Sequence, residues 1–462
     1  MVLTLPAHPD HVTDRLHTSG LLAELAHGLG GPFHYLLPDR FDSNLAAFRT
    51  ALDDAGVEGR VYYAKKANKA RVLIDRCATA GAGVDVASLG ELREALGHGV
   101  RGEDLVVTGP AKAESLLRVA AQQGALIAVD ALDELDRVLT LGLPRPPRVL
   151  LRVHPAAQPN SRFGLGEEDL DEAMRGCAEA DGRVRTEGFG FHLSGYDVQQ
   201  RADLAGELVE LCLKARVLGL QADRISIGGG FAVDYVPADA WTRFLDRQHP
   251  GDYHAGKEFT AGDFYPYHSP VAGAEALRGV LAARPARSGP TLAERLREAA
   301  VMLLLEPGRA LLDRAGASVF TVQGVKDREG YGIVTVDGTS LSLSEQWFNS
   351  EYLPDPRLLP AHPGRPHPGR PHPGRPHSGR PHDGAPYRAS IAGASCLDSD
   401  LLTWRKIAFP SRPQAGDLLV YPNTAGYQMD SNESPFHELP LPPKVVIDHP
   451  GAAARPRWRL DH

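Results

Sequence analysis

The chain has 462 residues, 42% hydrophobic and 23% charged, a composition that suits a folded protein with two cores and excludes a disordered scaffold. A formal charge of −8 at pH 7, with no long basic run, argues against nucleic acid or an anionic membrane as the main partner and favours a small molecule. Cys77, Cys177, Cys212 and Cys396 stand far apart with no Cys-x-x-Cys pair, so neither a disulfide framework nor a metal site is expected.

In chain order, Met1 to His8 lacks the basic start and long apolar run of a signal peptide, and no apolar stretch approaches a membrane span. A cytoplasmic location is expected. From Pro32 to Arg309 short apolar runs alternate with helix-like stretches. Counting from Val61, eight runs read as strands: Val61–Ala64, Val84–Val86, Leu105–Val107, Leu126–Val129, Val149–Val153, Gly188–His192, Ile225–Ile227 and Met302–Leu305. Strands separated by helices imply parallel βαβ units, and this many is the size of a (β/α)8 barrel; an open doubly wound sheet is the competing fold.

Pro237 to Pro290 interrupts the alternation with many aromatics and histidines, and reads as an elaborated loop over the barrel mouth. After Arg309 the texture becomes alternating runs with turns, such as Ser318–Val322, Gly332–Val336 and Asp417–Tyr421, which implies a second, mainly antiparallel β domain. The expected division is a barrel over 30–309 and a β domain from 1–29 and 310–462. His362-Pro-Gly-Arg-Pro366 repeats with period five through His382, and Pro and Gly at that density forbid helix or packed strand, so 361–384 is expected to be a disordered excursion.

Chemistry concentrates at strand ends. Val61-Tyr62-Tyr63-Ala64-Lys65-Lys66 breaks at Ala67-Asn68, and alternation lets only one of the two lysines face the interior. That one is expected to be desolvated, which favours a neutral, nucleophilic amine, and the other to reach solvent. Gly228-Gly229-Gly230 follows a strand with backbone N–H groups and no side chains in the way, as a phosphate cradle requires. Glu306 and Arg309 follow Met302–Leu305, and His192 ends its own strand. Cys396-Leu397-Asp398-Ser399-Asp400 and Asn423-Thr424-Ala425-Gly426-Tyr427 complete the set.

In this order these residues resemble the fold-type III pyridoxal-phosphate decarboxylases, the group of diaminopimelate, ornithine and arginine decarboxylases, over roughly Pro32 to Phe436. The resemblance implies a TIM-type barrel with a β domain, and selects Lys66 for the Schiff base to pyridoxal phosphate. It implies Asp85 and a stacking His192 beside the cofactor, Gly228, Gly229, Gly230 and Arg309 on its phosphate, and Glu306 at its ring nitrogen. Cys396 or a water is the candidate proton donor and Tyr427 a further implied cofactor contact, within a head-to-tail homodimer that shares its active sites. Alanine racemases share the barrel but present arginine to the ring nitrogen, so Glu306 favours decarboxylation over racemisation; the alternatives are a racemase or eliminase on the same cofactor, or a non-catalytic relative that imitates the dimer, against which stands the retention of Lys66, Gly228 to Gly230, Glu306, Arg309 and Tyr427.

Departures from the family pattern bear on substrate. Leu397 stands where an acidic residue would hold a distal ammonium, and burying an ammonium against leucine would cost roughly 3–5 kcal/mol. Asp398 and Asp400 are the remaining candidate substrate carboxylates. No arginine occurs between Arg328 and Arg357, where Ser344-Glu345-Gln346-Trp347-Phe348 stands instead, and the usual glycine-serine after the histidine reads Leu193-Ser194-Gly195, which weakens Ser194 as a phosphate contact. The expected activity is an amino-acid decarboxylation whose substrate is not simply diaminopimelate or ornithine.

Overall fold

The computed structural model describes residues 3–328, 330–343, 351–361, 386–448 and 456–462. The His-Pro-Gly-Arg repeat and the 344–348 stretch lie outside the described residues. The chain divides into two compact units, one of 1–37, 234–270 and 313–462 and one of 38–233 and 271–312.

The first strand, β1 (Phe33–Leu36), belongs to the β unit. The next eight, β2 (Gly59–Ala64), β3 (Gly83–Val86), β4 (Leu105–Val107), β5 (Leu126–Val129), β6 (Arg148–Arg152), β7 (Arg185–Gly190), β8 (Arg224–Ser226) and β9 (Met302–Leu305), are all parallel and close into a barrel in sequence order. Each expected strand is present, and closure of β2 on β9 rules out the open sheet. Tyr62, Val106, Leu126, Leu150 and Leu304 fill the interior. Tyr63, one residue on, points outward against Phe41 of the helix Pro38–Asp54, with ring centroids 5.1 Å apart. This alternation holds to the end of β2 at Ala64.

In the β unit, β10 (Gly316–Arg328), β11 (Tyr331–Val336), β12 (Arg357–Leu359), β13 (Tyr387–Ala392), β14 (Leu401–Phe409), β15 (Leu418–Pro422), β16 (Lys444–Asp448) and β17 (Arg457–Leu460) join β1. Most pairings are antiparallel; β1 with β16 and β11 with β13 are parallel. Helices His11–Thr18 and Leu21–Leu29 cover one core of this unit through Leu16, Leu21, Leu22 and Leu25.

The segment read as a barrel-mouth loop divides between the two units. Asp234–Pro270 packs within the β unit, where Trp241, Tyr253, Phe264, Tyr265 and Tyr267 are buried, and Val271–Leu312 continues the barrel. Those aromatics build a core instead of lining a loop: Tyr267 meets Tyr352 edge-on at 5.3 Å, and Tyr253 bridges to Arg405 of β14. Among the described residues, no helix is long and apolar enough to cross a membrane.

Candidate active site

The C-terminal ends of the barrel strands, the face on which such barrels build their chemistry, carry a continuous polar constellation. After β2 the chain makes a 3-10 turn over Lys65–Ala67. Asn68 staples it: its N–H donates to Lys65 O, its Oδ1 accepts from Ala70 N at 2.9 Å, and its carbonyl accepts from Tyr63 OH at 2.8 Å. Lys66 lies in that turn, and its Nζ reaches the barrel mouth, 3.1 Å from Asp85 Oδ2 at the β3 end.

The expected burial of the two lysines is reversed. Inward-facing Lys66 is 47% exposed, because the barrel mouth is open, whereas outward-facing Lys65 is 1% exposed, because a helix covers that side. Glu94 of that helix, Leu89–Gly97, takes the Lys65 amine at 2.5 Å. Burial pushes Glu94 upward, but the bonds from Lys65 and then Arg71 hold its pKa below the ordinary value. The helix start shows the expected cap: Ser88 Oγ accepts from Glu91 N, while the Glu91 carboxylate accepts from Ala87 N.

Asp85 is buried, and its second oxygen accepts from Thr108 Oγ1 at 2.6 Å, so its carboxylate is fixed from both sides. Across the mouth, Glu306 Oε1 accepts from Ser226 Oγ at 2.6 Å. Burial first, then the negative charge of Asp85, raises the Glu306 pKa to about 7, with Ser226 and Lys66 opposing. Asp130, at the end of β5, accepts from Arg152 Nη1 and from Gly164 N, both at 3.1 Å.

His192 follows β7 and presents an exposed side to the mouth. Packing around the ring, then the positive charges of Lys66, Arg152 and Arg201, hold its pKa below the ordinary imidazole value. A neutral ring suits stacking on a cationic heterocycle.

The turn Gly228–Gly230 is built so that side chains cannot enter it. A Cβ on Gly228 would stand 2.8 Å from His192 Nδ1, on Gly229 2.6 Å from Glu306 O, and on Gly230 2.5 Å from Arg201 Nη2. Gly228 and Gly230 also have φ of +66° and +74°. None of the described residues accepts a hydrogen bond from the N–H of Gly229, Gly230 or Phe231, although Gly229 and Phe231 are buried. Buried N–H donors are rarely left unpaired, so this cradle fits a ligand rich in acceptor oxygens. Arg309 is buried at the start of the turn that follows Glu306-Pro307-Gly308. Ser194 is exposed, with its N–H and C=O taken by the Gln158 amide at 3.1 and 2.9 Å.

In the β unit, Cys396 is exposed and its Sγ lies 3.1 Å from His437 Nε2. Tyr427 and His437 both have left-handed φ, +76° and +58°, which is uncommon for side chains of this size. Asp398 is exposed. Asp400, expected on substrate, is instead buried, and its two oxygens accept from Ser395 N in its own turn and from Ser340 N of a distant segment. A carboxylate so engaged holds backbone.

A model for the pyridoxal-dependent decarboxylase pyridoxal-binding domain matches residues 39–249. The chain is 38% identical to an uncharacterized protein, y4yA, of Sinorhizobium fredii, over 92% of this chain and 90% of that one. It is 27% identical to a diaminopimelate decarboxylase of Actinosynnema pretiosum subsp. auranticum, covering 92% of this chain and 85% of the relative. The chain belongs to the fold-type III pyridoxal-dependent decarboxylase family. Its architecture agrees with that of a diaminopimelate decarboxylase from M. jannaschii in co-complex with L-lysine, with TM-score 0.70 at 18% identity, over 95% of this chain and 91% of that one. This decarboxylase is therefore a pyridoxal-phosphate-dependent carboxy-lyase.

The sequence reading of the decarboxylase missed Thr108, Asp130, Arg152, Ser226 and Arg201 in the barrel, and His437 in the β unit. Four of the six had a visible signal, since Thr108 and Asp130 directly follow apolar strands, and Arg152 and Ser226 are polar residues inside such runs. In the glycine cradle, Gly229→Ala is expected to weaken pyridoxal phosphate binding roughly 10- to 100-fold, because the new methyl meets backbone. Fluorescence titration of the ligand-free variant measures this.

Proposed function

We propose that this decarboxylase removes the α-carboxylate of an amino acid whose distal end is neither the free ammonium of ornithine nor the plain terminus of diaminopimelate. The observation that carries the reaction type is the set at one barrel mouth: the Lys66 amine on Asp85, the Glu306 carboxylate on Ser226, and a glycine cradle whose N–H groups have no acceptor among the described residues. Bound there, pyridoxal phosphate supplies an electron sink for the pair released when carbon dioxide leaves.

The roles of the chain follow from that placement. Lys66 is the amine that would hold the cofactor aldehyde, with Asp85 and Thr108 fixing where Nζ sits. Glu306, oriented by Ser226, would keep a proton at the ring nitrogen through a charge-assisted bond worth roughly 1.5–3 kcal/mol. His192 would cover one ring face. Gly228, Gly229, Gly230 and Arg309 would hold the phosphate, with Ser194 and Tyr427 as outer contacts.

Cys396 would deliver a proton to the substrate α-carbon, and His437, 3.1 Å away and exposed, would return one to the thiol from water. His437→Ala is expected to slow alkylation of Cys396 by iodoacetamide at neutral pH about tenfold, read by mass spectrometry. An unchanged rate would remove His437 from the proposal.

Exposed Leu397 offers no counter-charge to a distal ammonium, which supports a substrate with a neutral or conjugated side chain, leaving Asp398 as the nearby carboxylate. We propose a head-to-tail homodimer in the cytoplasm as the working form. The test is carbon dioxide release from a panel of L- and D-amino acids and their amide-conjugated derivatives, with chirality of the unreacted substrate followed in parallel. Loss of chirality without carbon dioxide would favour a racemase.

A further inference from the structure

Arg201 has no place in the chemistry described so far. It lies on the helix Val198–Val217 and is 2% exposed, directly behind the glycine cradle. Its Nη1 donates to Ile227 O at 2.7 Å, and its Nη2 donates to Gly230 O at 3.2 Å and Gly195 O at 3.3 Å. The guanidinium also sits 5.7 Å from the ring centroid of Phe231. Among the described residues no carboxylate pairs with it, and burial pushes its pKa down to about 10.

Carbonyl acceptors alone do not require a charge, because a neutral amide could donate to them. A buried cation without a counter-ion is costly, so such groups are found where an anion completes them. In a planar trans peptide the N–H points opposite the C=O. Drawing Gly230 O towards Arg201 therefore turns Phe231 N–H away from it, and that N–H is one of the donors with no acceptor among the described residues. The same contact at Gly195 ties the turn after His192 to the turn after β8. Arg201 thus shapes two loops at once and leaves a positive charge behind them.

We propose that Arg201 is a positioning residue for the cofactor phosphate, which it serves by aiming the cradle N–H groups and by supplying the charge that the phosphate dianion balances. This rests on the reading of the mouth as a pyridoxal phosphate site. It gives Arg201, beside Arg309 and the cradle itself, a share in the discrimination between phosphorylated and unphosphorylated forms of the cofactor.

The test compares pyridoxal phosphate with pyridoxal, which has the same ring and aldehyde but no phosphate, on ligand-free full-length protein. Arg201→Gln is expected to weaken pyridoxal phosphate about 10- to 100-fold while moving pyridoxal less than about threefold, and Arg201→Lys to recover part of the loss. Equal weakening of both ligands, or of neither, overturns the proposal. A measurement on the wild type stands apart from variant folding. Inorganic phosphate is expected to slow hydrogen exchange in 193–201 and 226–233 relative to equal chloride, and unchanged exchange also overturns it. If wild-type protein forms no borohydride-stable adduct with pyridoxal phosphate, the cofactor reading itself fails. If the adduct forms and the Arg201→Gln ratio is unchanged, only the role of Arg201 fails.

Discussion

Lys66→Ala is expected to lose the near-ultraviolet band that wild-type protein gains with pyridoxal phosphate, and to lower carbon dioxide release by at least about 10³-fold, because it removes the amine that Asp85 orients at the mouth. Folding should be spared, since Lys66 is 47% exposed. Lys65→Ala is the contrasting variant. It deletes an amine that is 1% exposed and paired with Glu94 outside the barrel, so it should cost stability while the band remains. The two neighbours thus separate chemistry from packing: a thermal melt and an absorbance spectrum on each variant suffice. A Lys66→Ala protein that keeps both band and activity would remove the assignment.

Glu306→Gln should behave in opposite ways in two assays. Activity should fall about 10²- to 10³-fold, because a neutral amide cannot hold a proton at the ring nitrogen as a carboxylate does. Ligand-free stability should instead rise above pH 7. The folded pKa of Glu306 is raised from 4.5 to about 7, by burial and then by Asp85. Between those values the native protein binds more protons than the unfolded chain, so its stability falls as pH rises through that window. The glutamine variant has no charge at this position and lacks that fall, giving a melting temperature higher by about 1–3 °C at pH 8. A cationic ring nitrogen supplies the missing partner, so adding pyridoxal phosphate should reverse the order of the two proteins. Melting curves from pH 5 to 8, with and without cofactor, test the sign.

How far these features were legible depended on range. The eight barrel strands were readable because each is a short apolar run bounded by helical spacing, and the break after Ala64 that carries Lys66 is local. The burial of Lys65 was not readable from β2, because the covering carboxylate, Glu94, sits a helix away. Asp234–Pro270 was misplaced for the same reason: its aromatics find their partners in Tyr352 and β14, far downstream in the same unit. His437 lies 41 positions from Cys396, and no spacing rule links them. Asp400 looked like a substrate ligand only because its motif neighbours are chemical; its oxygens hold Ser340 and Ser395 backbone. Arg201 is a charge within a helix, a pattern that ordinarily marks a solvent face.

The most direct measurement is borohydride reduction of the wild-type protein after incubation with pyridoxal phosphate, followed by proteolysis and mass mapping of the modified lysine. A single reduced pyridoxyl group on Lys66 is the expected result. Modification of Lys65 instead, or none at saturating cofactor, would contradict the assignment of the barrel mouth as the cofactor site.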